Sequence, residues 1–425
     1  MAGQERRTAG TSGGVRRRTA VSGLAAVLIA PAVSGCGRPA APRAADPSPD
    51  AEARIRRTLA RRAAAVLARD ERAYLDALAP GAQDLRTAER RAFRDLAEVP
   101  LGAWEYRITD IARSGARATV HADLRYRLTG HDSAPVATPR LLELGERAGR
   151  WYVTADRPAE GGAPQLWQQG TVRAERGARA LVLGVGQEDA TLRALAAAAD
   201  RAVPAVTDAW PDSWARKTVL LVPGSAAAMA ALLGGPADGY RGIAAVTTGQ
   251  AGRAGAAPAA PADRIVVNPE AYGSLTGFGR QVVLTHETTH VATRTATSAA
   301  TPTWLSEGFA DWVAYRRTGR AASRIAPELQ RAVRRGELPA GLPSDDDFAF
   351  GGDADRLARA YEGAWLACEL IAERWGERRL TDFYRAVGGQ ERREGAVARA
   401  ARDVLATSAD GLTARWRAYA RRRLG

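Results

Sequence analysis

Two histidines four residues apart, His286 and His290, stand in the run Leu284-Thr285-His286-Glu287-Thr288-Thr289-His290-Val291, with Glu287 between them. On a helix such positions rise from one face a turn apart, so the two imidazoles can close on a single metal ion. In this H-E-x-x-H spacing the imidazoles hold zinc, and the glutamate serves as general base toward a water molecule that the metal acidifies. The chain has only 4 histidines in 425 residues, so a chance H-E-x-x-H is expected on the order of 0.002 times. Two histidines leave a catalytic zinc short of a ligand, because such sites take three protein ligands and keep one position open. Glu307, in Trp304-Leu305-Ser306-Glu307-Gly308-Phe309-Ala310-Asp311-Trp312, is the best third ligand. It opens a helix shortly downstream, and Gly308 after it allows close helix approach. Asp311, one turn further along that face, can accept the spare N–H of a ligand imidazole. Trp304, Leu305, Phe309 and Trp312 make this an embedded helix, where acids need partners.

The elements that must position these residues are legible as periodicities. The carboxyl third reads as helices over 281–294, 304–315, 325–335, 356–375, 380–387 and 394–422. Upstream, a hairpin spans 171–175 and 179–184, a helix covers 189–209, and Thr218 to Val222 is a buried strand closed by Pro223-Gly224. Two more strands, 242–247 and 264–268, flank a Gly/Ala/Pro-rich stretch over 249–262 that cannot pack a core. One of the two is expected to be a sheet edge that holds an extended peptide by main-chain pairing; the sequence does not say which. Residues 157–165, rich in Pro and Gly, read as a linker. Before it, a helix over 51–69 carries Ile55, Leu59, Ala63, Val66 and Leu67 among arginines that include Arg61 and Arg62. A second helix covers 87–97, and alternation then predicts an antiparallel meander through Trp104, Val120, Leu141 and Trp151. His121 falls on the polar face of its strand and His131 in a loop, neither at metal-ligand spacing to another histidine. The fold class expected is α+β: a small helix-plus-meander domain over 51–160, then a domain over 165–425 with a mixed sheet and a mainly helical carboxyl part.

With 46% hydrophobic and 25% charged residues the chain is globular. Its net charge of +14 comes from 60 arginines and a single lysine, Lys217. No run interleaves aromatic with basic residues as a nucleic-acid platform does, so the charge reads as a solvated basic surface and no nucleic-acid partner is expected. Residues 1–35 read as an export signal: Arg6, Arg7, Arg16, Arg17 and Arg18 precede an apolar run over 21–33 too short to span a bilayer. The run ends in Val33-Ser34-Gly35-Cys36, which resembles a bacterial lipobox. In such a site Cys36 carries two acyl chains, enough for stable anchoring, and 36–50 become a Pro-rich tether. The expected location is extracytoplasmic, on the outer face of the cell membrane, by Sec or Tat export. Cys368, among Trp365, Leu366, Leu370 and Ile371, reads as a small core residue.

The HETTH run together with Trp304 to Asp311 resembles the gluzincin class of zinc metallopeptidases, most of all the bacterial peptidase-MA-like families with their W-L-x-E-G-x-A element. The resemblance extends over 165–425, although its motifs occupy a small part of that length. It implies zinc held by His286, His290 and Glu307, with Glu287 as general base and Asp311 in support. The interval 291–306 is shorter than in the thermolysin-like and aminopeptidase branches, as a shortened loop between helices would make it. No histidine follows His290, so the histidine donor of thermolysin-like enzymes has no counterpart. Ala360-Tyr361-Glu362-Gly363-Ala364 is similar to the Y-E-K-G-A segment of the aminopeptidase branch, which gives the oxyanion-stabilising role to Tyr361. The G-x-M-x-N element of that branch is absent, favouring an endopeptidase or an unusual substrate. Residues 51–160 resemble nuclear-transport-factor-2-like folds in their order of elements. The function expected is that of a membrane-anchored zinc metallopeptidase, monomeric, acting on a peptide or protein substrate. The alternative is a non-catalytic lipoprotein using a peptidase-like fold for binding or scaffolding.

Overall fold

The structure, a computed structural model, describes residues 49–160, 162–240, 242–249, 262–349 and 353–425. The expected signal, Cys36 and nearly all of the tether lie outside the described residues, as does 250–261 of the Gly/Ala/Pro-rich stretch.

Helix α1 (Pro49–Leu67) buries Ala51, Ile55, Leu59, Ala63 and Val66 at three- and four-residue spacing. It packs on β1 (Leu101–Ser114) with α2 (Glu71–Leu75) beside it, and α3 (Gln83–Asp95) follows. Strands β1, β2 (Arg117–Leu128), β3 (Val136–Arg147) and β4 (Arg150–Pro158) form an antiparallel meander in that order. The β3–β4 turn has positive φ at both Ala148 and Gly149, whose twist suits a tight hairpin. Val120, Ala122, Leu124, Tyr126 and Leu128 point inward while His121 is exposed.

Arg62, one of the arginines among which the apolar stripe of α1 lies, is only 1% exposed. Its guanidinium donates to Glu89 and Asp156, each at 2.7 Å, and to the Tyr74 hydroxyl at 2.9 Å. A buried cation needs such partners. The cavity beneath, lined by Tyr106, Arg140 and Asp156 among others, holds about 20 Å³, room for one water molecule. A small-molecule ligand has no space there.

The second sheet is mixed, as the sequence led us to expect. A hairpin of β5 (Val172–Arg176) and β6 (Ala180–Val185) leads through α4 (Asp189–Ala209) to β7 (Thr218–Val222), α5 (Ala226–Leu233), β8 (Ala245–Gly249) and β9 (Asp263–Val267). The strand order is β5-β6-β7-β9-β8, with β6, β7 and β9 parallel and β8 antiparallel to β9. Of the two strands left open by the sequence, β8 is therefore the edge among the described residues. Alternation along the strands divides their side chains between two cores. Leu181, Leu183 and Val219 join the amino-terminal core, while Val182, Leu220 and Ile265 pack with Leu192 and Leu195 of α4. The two parts are also pinned by Arg264 of β9, which makes paired bonds to buried Asp132 at 2.8 and 2.7 Å.

Helices α6 (Pro269–Ser274), α7 (Gly277–Thr293), α8 (Thr303–Tyr315), α9 (Ala322–Ile325), α10 (Pro327–Arg334), α11 (Ala354–Trp375), α12 (Glu377–Gly388), α13 (Ala396–Leu405) and α14 (Ala409–Leu424) complete the chain. The helix expected over 325–335 starts at Pro327 instead, because Ala326, as the residue before proline, is pushed out of the helical region. The one over 394–422 breaks where Ala406 turns left-handed at φ 50° and Ser408 caps α14 by accepting from Gly411 N–H. Cys368 is fully buried with a free thiol. Among the described residues no helix is long and apolar enough to cross a membrane.

Candidate metal centre

Helix α7 begins at Thr276, whose hydroxyl accepts from Gly279 N–H. Its interior is unusually hydroxylated, and three of the hydroxyls find partners inside the helix, while that of buried Thr288 has none among the described residues. Thr285 donates to the carbonyl of Gln281, Thr289 to that of Thr285 and Thr293 to that of Thr289, at 2.8 to 3.0 Å. The helix packs on α4, α8 and β8, which directs the His286 and His290 face toward α8 and the edge strand.

Helix α8 buries Trp304, Leu305, Gly308, Phe309, Trp312 and Val313 on one face, with Phe309 against the rings of Trp210, Trp312 and Tyr384. This fixes the rotation of α8, so that Glu307 and Asp311 face α7. Gly308 does what its position suggested: a Cβ there would lie 2.3 Å from the carbonyl oxygen of Ala364 in α11. The resulting close contact carries Tyr361, one turn before Ala364, to the same cleft.

The three ligand atoms converge. His286 Nε2 lies 3.1 Å from His290 Nε2 and 3.3 Å from Glu307 Oε2, and His290 Nε2 lies 3.5 Å from Glu307 Oε1. An ion held tetrahedrally at about 2.0–2.1 Å separates its ligand atoms by roughly 3.3 Å, a spacing close to that of these side chains. His286, His290 and Glu307 thus form a cluster able to hold a metal ion. Asp311 Oδ1 is 2.8 Å from His286 Nδ1. A carboxylate only accepts, so Nδ1 carries a hydrogen and Nε2 is the ring atom left to bind an ion.

Charges in the site are mutually compensating. Burial opposes a charge on His286, but Asp311 and Glu307 outweigh it and hold its pKa well above the ordinary value. Burial likewise opposes ionisation of Glu307, yet His290 and His286 hold its carboxyl well below the usual range. An ion entering the cluster takes over the positive charge of His286 and releases its proton.

The cluster lines a cleft of about 910 Å³ together with Glu287, Asp311, Tyr361 and residues of β8. Glu287, 8% exposed, accepts from the Thr247 hydroxyl of β8, whose Oγ1 lies 2.5 Å from Oε2. Burial, with the carboxylates of Glu307, Asp311 and Glu287, pushes the Tyr361 phenol far above its ordinary range, so it keeps its proton as a donor. The structure brings together every sequence-predicted site residue except Cys36, which lies outside the described residues. Sequence reasoning missed Thr247, an ordinary strand residue whose contact is 40 positions away in the chain. It also missed Tyr315, a second cleft phenol whose pKa burial and Asp311 raise to about 12. No protein-family model matches this chain, and no curated protein is significantly similar to it.

Proposed function

We propose that the chain is a zinc-dependent metallopeptidase of the gluzincin type that hydrolyses peptide bonds in the cleft between β8, α7 and α8. The observation that carries this is the convergence of His286, His290 and Glu307, one ligand atom from each lying within 4.8 Å of the others, with a buried, anchored Glu287 beside it. Two imidazoles and one carboxylate are a donor set suited to zinc, and they leave a coordination position open. Zinc, when bound, supplies Lewis acidity toward a water molecule and toward the substrate carbonyl.

The chain's own residues then divide the work. Asp311 holds His286 in the tautomer that presents Nε2. An extended peptide lies along β8, whose outer edge is unpaired among the described residues, and strand pairing aligns its scissile bond over Glu287. Glu287 takes a proton from the attacking water and delivers it to the leaving amine. Tyr361 donates to the carbonyl oxygen as negative charge grows there. Lipidation of Cys36 and attachment outside the cytoplasm belong to the same proposal and rest on the Val33 to Cys36 sequence. The amino-terminal part serves in this reading as a buttress for the catalytic sheet through Asp132 and Arg264.

Incubation with unfolded casein and a peptide library tests the proposal. Cleavage that a chelator stops and zinc restores is expected; a zinc-loaded chain that cleaves nothing points instead to a binding module.

A further inference from the structure

The general base proposed above is held from the strand proposed to carry the substrate. Thr247 lies at the centre of β8, and its Oγ1 approaches Glu287 Oε2 at 2.5 Å and the Glu287 carbonyl oxygen at 3.1 Å. A hydroxyl has one hydrogen, and the shorter, charge-assisted contact takes it. Among the described residues no other side chain or backbone group donates to this carboxylate.

The terminal torsion of a glutamate is broad and nearly two-fold, so a carboxylate at the base of an open cleft can present either oxygen in many orientations. Thr247 removes that freedom. Its own χ1 is restricted by branching at Cβ, and β8 is fixed by its ladder to β9 from Ala245 to Gly249. We infer that Thr247 is a positioning residue of the hydrolysis: it engages Oε2, leaves Oε1 as the proton acceptor, and ties the orientation of Glu287 to the strand along which the peptide lies. This inference rests on the metallopeptidase reading and goes beyond it, because neither the H-E-x-x-H spacing nor the ligand triangle requires a partner for the base.

Thr247→Val keeps the shape and removes the donor, leaving a buried oxygen without its hydrogen bond, whereas Thr247→Ser keeps the donor. On a peptide cleaved by the wild type, Thr247→Val is expected to lower kcat roughly 10- to 100-fold, as loss of an orienting partner does, with KM changed less than about 2-fold and zinc content intact. Thr247→Ser is expected to recover most of kcat. A second readout uses metal-free protein: Thr247→Val lowers the denaturant midpoint of the wild type, and has a smaller effect in a Glu287→Ala background where the contact is already gone. Thr247→Ala serves in place of Val should that variant fold poorly. Wild-type kcat in a donor-less variant, or equal midpoint shifts in the two backgrounds, overturns the role of Thr247 alone. A zinc-loaded wild type that hydrolyses no peptide overturns the metallopeptidase reading and this role with it.

Discussion

Asp311 Oδ1 lies 2.8 Å from Nδ1 of His286, across the gap between α8 and α7. The contact joins the two helices that supply the metal ligands, and its loss frees the imidazole to rotate. Asp311→Ala is expected to weaken zinc binding roughly 10- to 100-fold, measured by competition with a chromogenic chelator. Unchanged affinity would mean that packing of α7 alone orients His286.

Gly308 sets how closely α8 approaches α11. Gly308→Ala forces a methyl to within 2.3 Å of the Ala364 carbonyl oxygen, and the helices must separate. Overpacking of this kind costs about 1–3 kcal/mol, so the melting temperature should fall. Because Glu307 precedes it and Tyr361 lies across the contact, kcat should fall as well; a variant as stable and active as the wild type contradicts this account.

Tyr361 and Tyr315 both line the cleft, and the proposal uses only one of them. Tyr361→Phe should lose roughly 10²–10³-fold in kcat, the scale of a lost oxyanion donor, with KM little changed. Tyr315→Phe should retain activity. Steady-state kinetics of the two variants decide between them, and the reverse outcome assigns the donor to Tyr315.

Glu362, next to Tyr361, caps α10 by accepting from Leu329 N–H at 2.5 Å and Glu328 N–H at 3.2 Å. Burial raises its pKa from the usual 4.5 to about 7. The folded protein therefore binds a proton that the unfolded chain has already released between these values. The stability this group contributes is fully present below about pH 4.5 and is lost as pH rises through about 7. Melting curves across that window should show the decline in the wild type and a flatter profile in Glu362→Gln; identical slopes would place the pH dependence elsewhere.

The site was legible in the sequence to the extent that its chemistry is local. His286, Glu287 and His290 declare themselves by helical spacing, and Glu307 and Asp311 by lying on a helix with too many large apolar residues to be exposed. Tyr361 came from resemblance to a motif, and the cleft contains it. What escaped depends on contacts between distant segments. Which strand forms the edge follows from sheet order; the apolar run Ile265-Val266-Val267 against Thr247-Thr248-Gly249 favours the first as the inner strand but does not fix their neighbours. Arg62 sits in an arginine-rich helix, and only the arrival of Glu89 and Asp156 makes its burial tolerable. The break at Ala406 did have a local signal, the Ser408 cap two residues later, which the helical periodicity on both sides obscured.

Glu287→Gln isolates the central claim, since Gln preserves shape and leaves all three proposed ligands in place while removing the base. Zinc content and turnover of a library-derived peptide, measured on the same preparations, form the test. The account predicts about one zinc per chain in both proteins, with turnover falling roughly 10²–10⁴-fold in the variant. Wild-type turnover in Glu287→Gln, or a wild-type chain that acquires no stoichiometric zinc, contradicts it.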